Sequence, residues 1–172
     1  MWASPTRTQA GIKLALAALA LLPAWQALVH LHRGDMRAHI WTLLVLMLIW
    51  AADIGAYFAG TRFGRHRLAP LVSPGKTWEG VAGGVLLALL MALAFGWGLG
   101  LRNAPLLVLL AITLPTVAFS IIGDLIESLL KRQAAVKDSG RMFPGHGGLL
   151  DRIDSVLAAA PLFVLLKTML HL

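Results

Sequence analysis

The sequence contains no cysteine and few charged residues. Of its 172 residues, 13% are Asp, Glu, Lys or Arg and 58% are hydrophobic, and the mean hydropathy is +0.77. Without cysteine, disulfide bonds and thiolate metal sites are excluded. A soluble domain usually has about 25% charged and about 45–50% apolar residues. The composition therefore argues against a soluble domain and for a membrane protein.

Apolar runs of nearly bilayer length recur along the chain. We expect an all-α, polytopic membrane protein, residues 1–172 forming a single transmembrane domain with about five transmembrane helices and cytoplasmic polar loops. The first run is interpreted as a true helix and not as a signal peptide, because no convincing small-residue cleavage site follows it. The predicted spans are 11–31, 39–60, 80–101, 104–127 and 153–172.

Glycine and proline predict how two of these helices pack. Gly80/Gly84 and Gly96/Gly100 form two small-xxx-small pairs on the third span, which suit close helix contact, although glycine is also simply common in membrane helices. Pro115 is expected to kink the fourth span.

The basic residues predict the orientation in the membrane. Eleven of the 15 fall in the N-terminal segment, the 61–79 loop and the 128–152 segment, which five spans place on one side. By the positive-inside rule this side is cytoplasmic, in the inner membrane. Topology alone explains about half of the basic excess behind the net charge of +7, and no nucleic-acid partner is expected.

Seven of the eight acidic residues lie at or near the same face, and only Asp35 falls on the far side. Asp124 and Glu127 are separated by three positions at the end of the fourth span, as are Asp151 and Asp154 at the start of the fifth. Each could simply pair with a nearby base, as Glu127 could with Lys131. Four carboxylates from two helix ends also suit a hard cation such as Mg²⁺, which prefers oxygen ligands.

A glycine-rich polar segment, 136–155, separates these two pairs of acids. Its glycines permit close approach of backbone N–H groups to an anion, and nearby Lys and Arg offer positive charge. Carboxylates for a metal beside bases for phosphates are typical of phosphoryl or nucleotidyl transfer. No GxxxxGK[ST] motif is present, which argues against a P-loop NTPase.

A second polar loop, 62–80, is predicted on the same side. Within it we expect a turn at Ser73-Pro74-Gly75, followed by phosphate contacts from Lys76 and Thr77. Alone, this loop could equally serve as an interfacial anchor.

The stretch "SLLKRQAAVKDSGRMFPGHGGLLDRIDS", 128–155, closely resembles the signature of CTP:phosphatidate cytidylyltransferases, S-x-x-K-R-x4-K-D-x-G-x3-P-G-H-G-G-x-x-D-R-x-D. Two upstream pieces agree with that family: "ADIGAYFAGTRFG" and "SPGKTWEG". The resemblance covers roughly 41–172 and indicates a short member or the catalytic C-terminal portion of one. It implies a membrane enzyme that joins CTP and phosphatidic acid to give CDP-diacylglycerol and pyrophosphate, with Mg²⁺ and a second metal ion.

The resemblance also implies roles for individual residues. Asp124 and Asp151 are the first choices for metal ligands, with Glu127 and Asp154 next. The residues implied to be catalytic are Asp124, Asp151, Lys131, Lys137 and Asp154. The residues implied to bind the substrates are Ser73, Lys76, Arg132, Asp138, His146 and Arg152. A homodimer is expected.

Three other interpretations stay open on the sequence. A transporter or channel could use Asp53, Asp124 and Glu127 as an ion or proton relay, but its acids should then spread across the bilayer. A related CTP-dependent enzyme could act on another lipid acceptor. An inactive fragment could retain only the core of the fold.

Overall fold

The computed structural model describes residues 7–34, 36–134, 136, 139, 148 and 150–172, without the side chains of 7–14, 16, 17 and 152. The described residues form five long helices and one small antiparallel hairpin. The elements are α1 (Arg7–His32), α2 (Met36–Phe63), β1 (Arg67–Ala69), β2 (Ser73–Thr77), α3 (Trp78–Gly98), α4 (Asn103–Gln133) and α5 (Leu150–Met169). All five predicted helices are present, and their ends agree with the sequence predictions to within four residues, except that α4 ends six residues beyond the predicted fourth span.

Glycines bring α2 and α3 into backbone contact. A Cβ atom added at Gly84 would lie 2.6 Å from the carbonyl oxygen of Ala52, and one at Gly55 would lie 2.5 Å from that of Gly83. Such distances leave no room for any side chain, so these positions must be glycine. The predicted role of Gly80 and Gly84 in close helix contact is confirmed, since an added Cβ at Gly80 would lie 2.9 Å from the Ala56 oxygen.

Gly96 and Gly100 of the second predicted pair behave differently. A Cβ at Gly96 would lie 2.5 Å from Leu106 of α4, so this glycine does allow close packing. Gly100 has no neighbour within 4 Å of such an atom and follows the end of α3 with φ +76°. Its predicted packing role is wrong: the glycine accommodates a left-handed backbone at the turn into α4.

All five helices contribute to the apolar core, and its largest fully buried side chains include Leu44, Leu48, Leu109, Ile112 and Phe163. Pro115 lies inside α4, which continues through it as one helix. Three helices among the described residues are long and apolar enough to cross a membrane, namely α2, α3 and α4. That finding supports a membrane protein, and the exact number of spans stays a prediction.

The predicted 62–80 loop contains the β1–β2 hairpin, which hydropathy does not reveal. Its turn lies at 70–72, where the Val72 N–H donates to the Ala69 oxygen at 3.1 Å and Pro70 takes the second turn position that proline favours. The predicted turn at Ser73-Pro74-Gly75 is therefore wrong, because these residues begin β2. Proline is tolerated there since a two-stranded ladder consists only of edge strands.

Candidate active site

A cavity of ≈ 350 Å³ opens at the end of the bundle where the hairpin lies. Its wall combines small residues of α2 and α3, such as Ala56 and Gly84, with polar side chains from four elements. The polar side chains that line it are Asp53, Tyr57, Lys76, Thr77, Asp124, Asp151, Asp154 and Ser155. The sequence separates these residues widely, and the antiparallel packing of the helices brings them together.

Three carboxylates form a compact group beside this cavity. One oxygen each from Asp124, Glu127 and Asp154 lies within 4.8 Å of the others. Gly123 makes this approach feasible, because a Cβ there would lie 2.7 Å from the Ala158 Cβ and 3.0 Å from the Asp154 carbonyl oxygen. The close crossing of α4 and α5 at Gly123 thus sets the spacing of the acids on either side.

Glu127 is the most deeply buried member, with 7% of the residue exposed. Neither of its carboxylate oxygens accepts a hydrogen bond from any described residue. Lys131 Nζ lies 2.6 Å from Oε2 and supplies charge, but not a well-directed hydrogen bond. Because Lys131 is shared with Asp151, it offsets only part of the negative charge of the three converging carboxylates, and such a deficit is costly at a buried position. The group therefore fits a hard divalent cation, which carboxylate oxygens prefer.

Asp151 has a different environment, at the first turn of α5 and ahead of the predicted fifth span. Its Oδ1 lies 2.8 Å from Lys131 Nζ, and its Oδ2 accepts the N–H groups of Gly148 at 2.7 Å and Ser139 at 3.0 Å. Burial raises the pKa of Asp151, but these hydrogen bonds outweigh it and hold the pKa well below its usual range. Asp151 is therefore an anion that ties the polar segment to α4 through Lys131.

The hairpin supplies a cation to the same site. Lys76 Nζ on β2 forms an ion pair with Asp124 Oδ2, and about a quarter of each side chain is exposed. The Ser128 hydroxyl lies 3.5 Å from the other Asp124 oxygen. The arrangement places a positive charge from one element directly against a carboxylate of another, at the cavity wall.

The structure thus gathers most of the predicted site residues that it describes. Lys76, Asp124, Asp151 and Asp154 line the cavity, and Glu127 and Lys131 contact them. Ser73 and Arg132 are associated with the hairpin: Ser73 pairs with Ala69, and Arg132 Nε lies 3.5 Å from the Val72 oxygen. The predicted residues Lys137, Asp138 and His146 and the side chain of Arg152 lie outside the described residues.

Asp53 is a cavity residue that the prediction of the site did not include. It lies on α2 and faces the Asp124 and Lys76 charges. A signal for it exists in the sequence, since it is an acid inside an apolar span and belongs to the "ADIGAYFAG" segment. Tyr57 of that segment also lines the cavity, as does Thr77, whose hydroxyl caps α3 by accepting the Gly80 N–H at 3.1 Å.

Comparison with known proteins gives consistent matches. The model of the cytidylyltransferase family matches residues 1–170. The phosphatidate cytidylyltransferase of Pseudomonas aeruginosa is 52% identical over 154 residues, which is 90% of this chain and 56% of that protein. The Haemophilus influenzae protein of that name is 52% identical over 126 residues, 70% of this chain and 43% of its own length. The Bacillus subtilis phosphatidate cytidylyltransferase is 41% identical over 148 residues, which is 86% of this chain and 55% of that protein.

A solved structure described as an intramembrane enzyme for archaeal membrane lipids biosynthesis is similar in fold, with a TM-score of 0.56 at 21% identity. The match covers 73% of this chain and 77% of that one. The chain spans about half the length of the curated relatives it matches. The resemblance noted in the sequence is confirmed by these matches, and the chain belongs to the cytidylyltransferase family.

Proposed function

We propose that this chain carries the catalytic region of a phosphatidate cytidylyltransferase, which transfers the cytidylyl group of CTP to phosphatidic acid. The products are CDP-diacylglycerol and pyrophosphate. The observation that carries the proposal is one cavity in which carboxylates of α2, α4 and α5 face a lysine of β2, with a lysine of α4 behind them. Relatives named phosphatidate cytidylyltransferase support the substrates.

Asp124, Glu127 and Asp154 would hold Mg²⁺, because their oxygens converge and Glu127 lacks a hydrogen-bond donor. When bound, the metal would supply charge neutralisation for the phosphates. Asp151 as a further ligand, and a second metal ion, stay predictions. In this structure the Asp151 oxygens are already engaged by Lys131 and by two backbone N–H groups.

The reaction does not require a covalent intermediate with the protein. An oxygen of the lipid phosphate forms a bond with the α-phosphorus of CTP while the bond to the bridging oxygen breaks, and pyrophosphate leaves with that electron pair. The attacking oxygen is already anionic, so no strong general base is needed. Catalysis then depends on positioning and on positive charge.

Lysines on two elements can supply that charge. Lys76 lies at the cavity wall, and Lys131 lies behind it between Glu127 and Asp151. Both would orient phosphate oxygens and offset their repulsion by the carboxylates. Ser73, Arg132, Asp138, His146 and Arg152 keep their predicted role as substrate-binding residues, and Lys137 keeps its predicted catalytic role.

The location of the cavity fits a lipid substrate that has a polar phosphate group and apolar acyl chains. It opens at the hairpin end of helices long enough to cross a bilayer, so acyl chains can stay in the membrane while the phosphate reaches the carboxylates. We place this end on the cytoplasmic side of the inner membrane, where CTP is available, and treat 1–172 as one transmembrane domain that forms a homodimer. Asp53, Asp124, Asp151 and Asp154 share one cavity at one end of the bundle, which disfavours an ion relay.

The test is transfer of label from [α-³²P]CTP into extractable lipid by the purified chain in detergent with phosphatidic acid and Mg²⁺. We expect transfer that requires the phosphatidic acid and stops with EDTA. Transfer to a polyprenol but not to phosphatidic acid would assign a different acceptor. No transfer to any lipid from a monodisperse sample that binds Mg²⁺ would refute the activity for this chain.

A further inference from the structure

The first turn of α3 holds the connection between α2 and β1 through one carboxylate. Glu79 accepts the backbone N–H of Arg65 at 3.1 Å and that of His66 at 3.2 Å, both on Oε2. Its Oε1 lies 2.6 Å from Nδ1 of the His66 ring, which donates because a carboxylate can only accept. We define these contacts as the Glu79 clamp.

The clamp lies at the base of the hairpin and not in the cavity. The Trp78 N–H donates to the His66 oxygen at 3.0 Å, and Arg67 pairs with Thr77 in the strand register. Lys76 directly precedes Thr77, the residue that caps α3. The clamp and the Trp78 hydrogen bond therefore hold the two strands together at the base of the hairpin. Lys76 is adjacent in sequence to Thr77, which belongs to this base.

We propose that Glu79 is a positioning residue that holds the hairpin so that Lys76 reaches the Asp124 side of the cavity. The inference rests on the proposed function, since it makes Lys76 a ligand of the CTP phosphates. Glu79 itself is not among the residues that line the described cavity. Its effect on the reaction is transmitted only through the position of Lys76.

Among the described residues, two polar contacts join the hairpin to α4. Lys76 is joined to α4 by its ion pair with Asp124, and Arg132 reaches the turn at Val72. Across the strands, Arg67 Nη1 donates to the Pro74 oxygen. None of these contacts ties the hairpin to α3. Among the described residues, the clamp, the hydrogen bond from the Trp78 N–H to the His66 oxygen and the continuous chain into α3 provide that link.

The kinetic test uses Glu79→Ala, Lys76→Ala and the double variant. Glu79→Ala is expected to raise KM for CTP about tenfold, the loss of one charge-assisted contact to phosphate, with a smaller change in kcat. In the Lys76→Ala background the same substitution should add nothing further, because residues acting as one unit are not additive. Additive effects would overturn the inference.

The matched control is Arg65→Ala, because the clamp uses only the main-chain N–H of Arg65. This variant is expected to keep KM within about twofold of the parent chain. Glu79→Gln keeps an acceptor oxygen and should fall between the parent and Glu79→Ala. An Arg65→Ala variant as impaired as Glu79→Ala would contradict a specific role for the carboxylate.

A second readout does not depend on activity. Acetylation of lysines by an N-hydroxysuccinimide ester, followed by mass spectrometry, reports whether Lys76 is held against Asp124. We expect Glu79→Ala to raise labelling of Lys76 relative to Lys131, and Arg65→Ala to leave the ratio unchanged. Unchanged Lys76 labelling in Glu79→Ala overturns the inference, whereas absence of transfer by the parent chain refutes the proposed function alone.

Discussion

Lys76 of β2 and Asp124 of α4 form an ion pair across the wall of the candidate active site. Asp124 also belongs to the group of three carboxylates, with Glu127 and Asp154. Among the described residues, this ion pair is the one side-chain contact that joins the hairpin to the acid group. Because Asp124 serves both, a change at this residue should affect cation binding and the position of the hairpin together.

Asp124→Asn should reduce label transfer by at least about 100-fold, since it removes one carboxylate from the group and the partner of Lys76. Titration of the purified variant with Mn²⁺, followed by electron paramagnetic resonance, should show weaker binding than the parent. Asp35→Asn is the control, because Asp35 lies between α1 and α2 in the sequence and is predicted on the opposite side of the membrane from the other acids. Full Mn²⁺ affinity in Asp124→Asn would contradict its role as a ligand.

Glu127→Gln should separate stability from function. Glu127 is 7% exposed, and its carboxylate converges with those of Asp124 and Asp154. Removing its charge relieves this repulsion, which outweighs the lost ion pair with Lys131, so the metal-free protein should gain roughly 1 kcal/mol of stability. Lys131 keeps its contact with Asp151 in this variant. We expect a higher unfolding temperature in EDTA and loss of the increase that Mg²⁺ gives to the parent.

Thermal unfolding in detergent with and without Mg²⁺ measures both effects. Lys131→Met is the informative companion, because it leaves Glu127 and Asp151 without their shared cation and should lower the unfolding temperature in EDTA. A Glu127→Gln variant that is destabilised in EDTA yet still stabilised by Mg²⁺ would show that the carboxylate is structural.

Hydropathy and spacing were sufficient to predict five helices and the end of the bundle at which the acids gather. Asp124 and Glu127 share a helix face by their spacing, and Asp154 lies at the predicted start of the next helix. The hairpin was not predictable, because β1 has only three residues and β2 only five, and β2 is polar and contains a proline. The contact of Lys76 with Asp124 depends on how α3 packs beside α4, which no local pattern encodes.

Asp151→Asn distinguishes a metal ligand from a structural anion. Because its oxygens already accept from Lys131 and from two backbone N–H groups, we expect a large loss of transfer activity but a smaller loss of Mn²⁺ affinity than in Asp124→Asn. Transfer and Mn²⁺ titration on the same preparations give the comparison. Equal loss of affinity in the two variants would establish Asp151 as a ligand, as predicted from the sequence.

Gly123→Ala should weaken the metal site without altering any ligand. The added Cβ would lie 2.7 Å from the Ala158 Cβ and 3.0 Å from the Asp154 carbonyl oxygen, so α5 must move away from α4. Such overpacking typically costs about 1–3 kcal/mol, and here the shift separates Asp154 from Asp124. We expect a lower unfolding temperature and reduced Mn²⁺ affinity together.

The matched control for this change is Gly98→Ala, since an added Cβ there meets no atom within 4 Å. That variant should keep both the unfolding temperature and the Mn²⁺ affinity of the parent. If Gly123→Ala lowered stability but left Mn²⁺ affinity intact, the α4–α5 crossing would serve packing alone. Reduced affinity with all carboxylates present would instead show that the crossing at Gly123 sets the distance between the ligands.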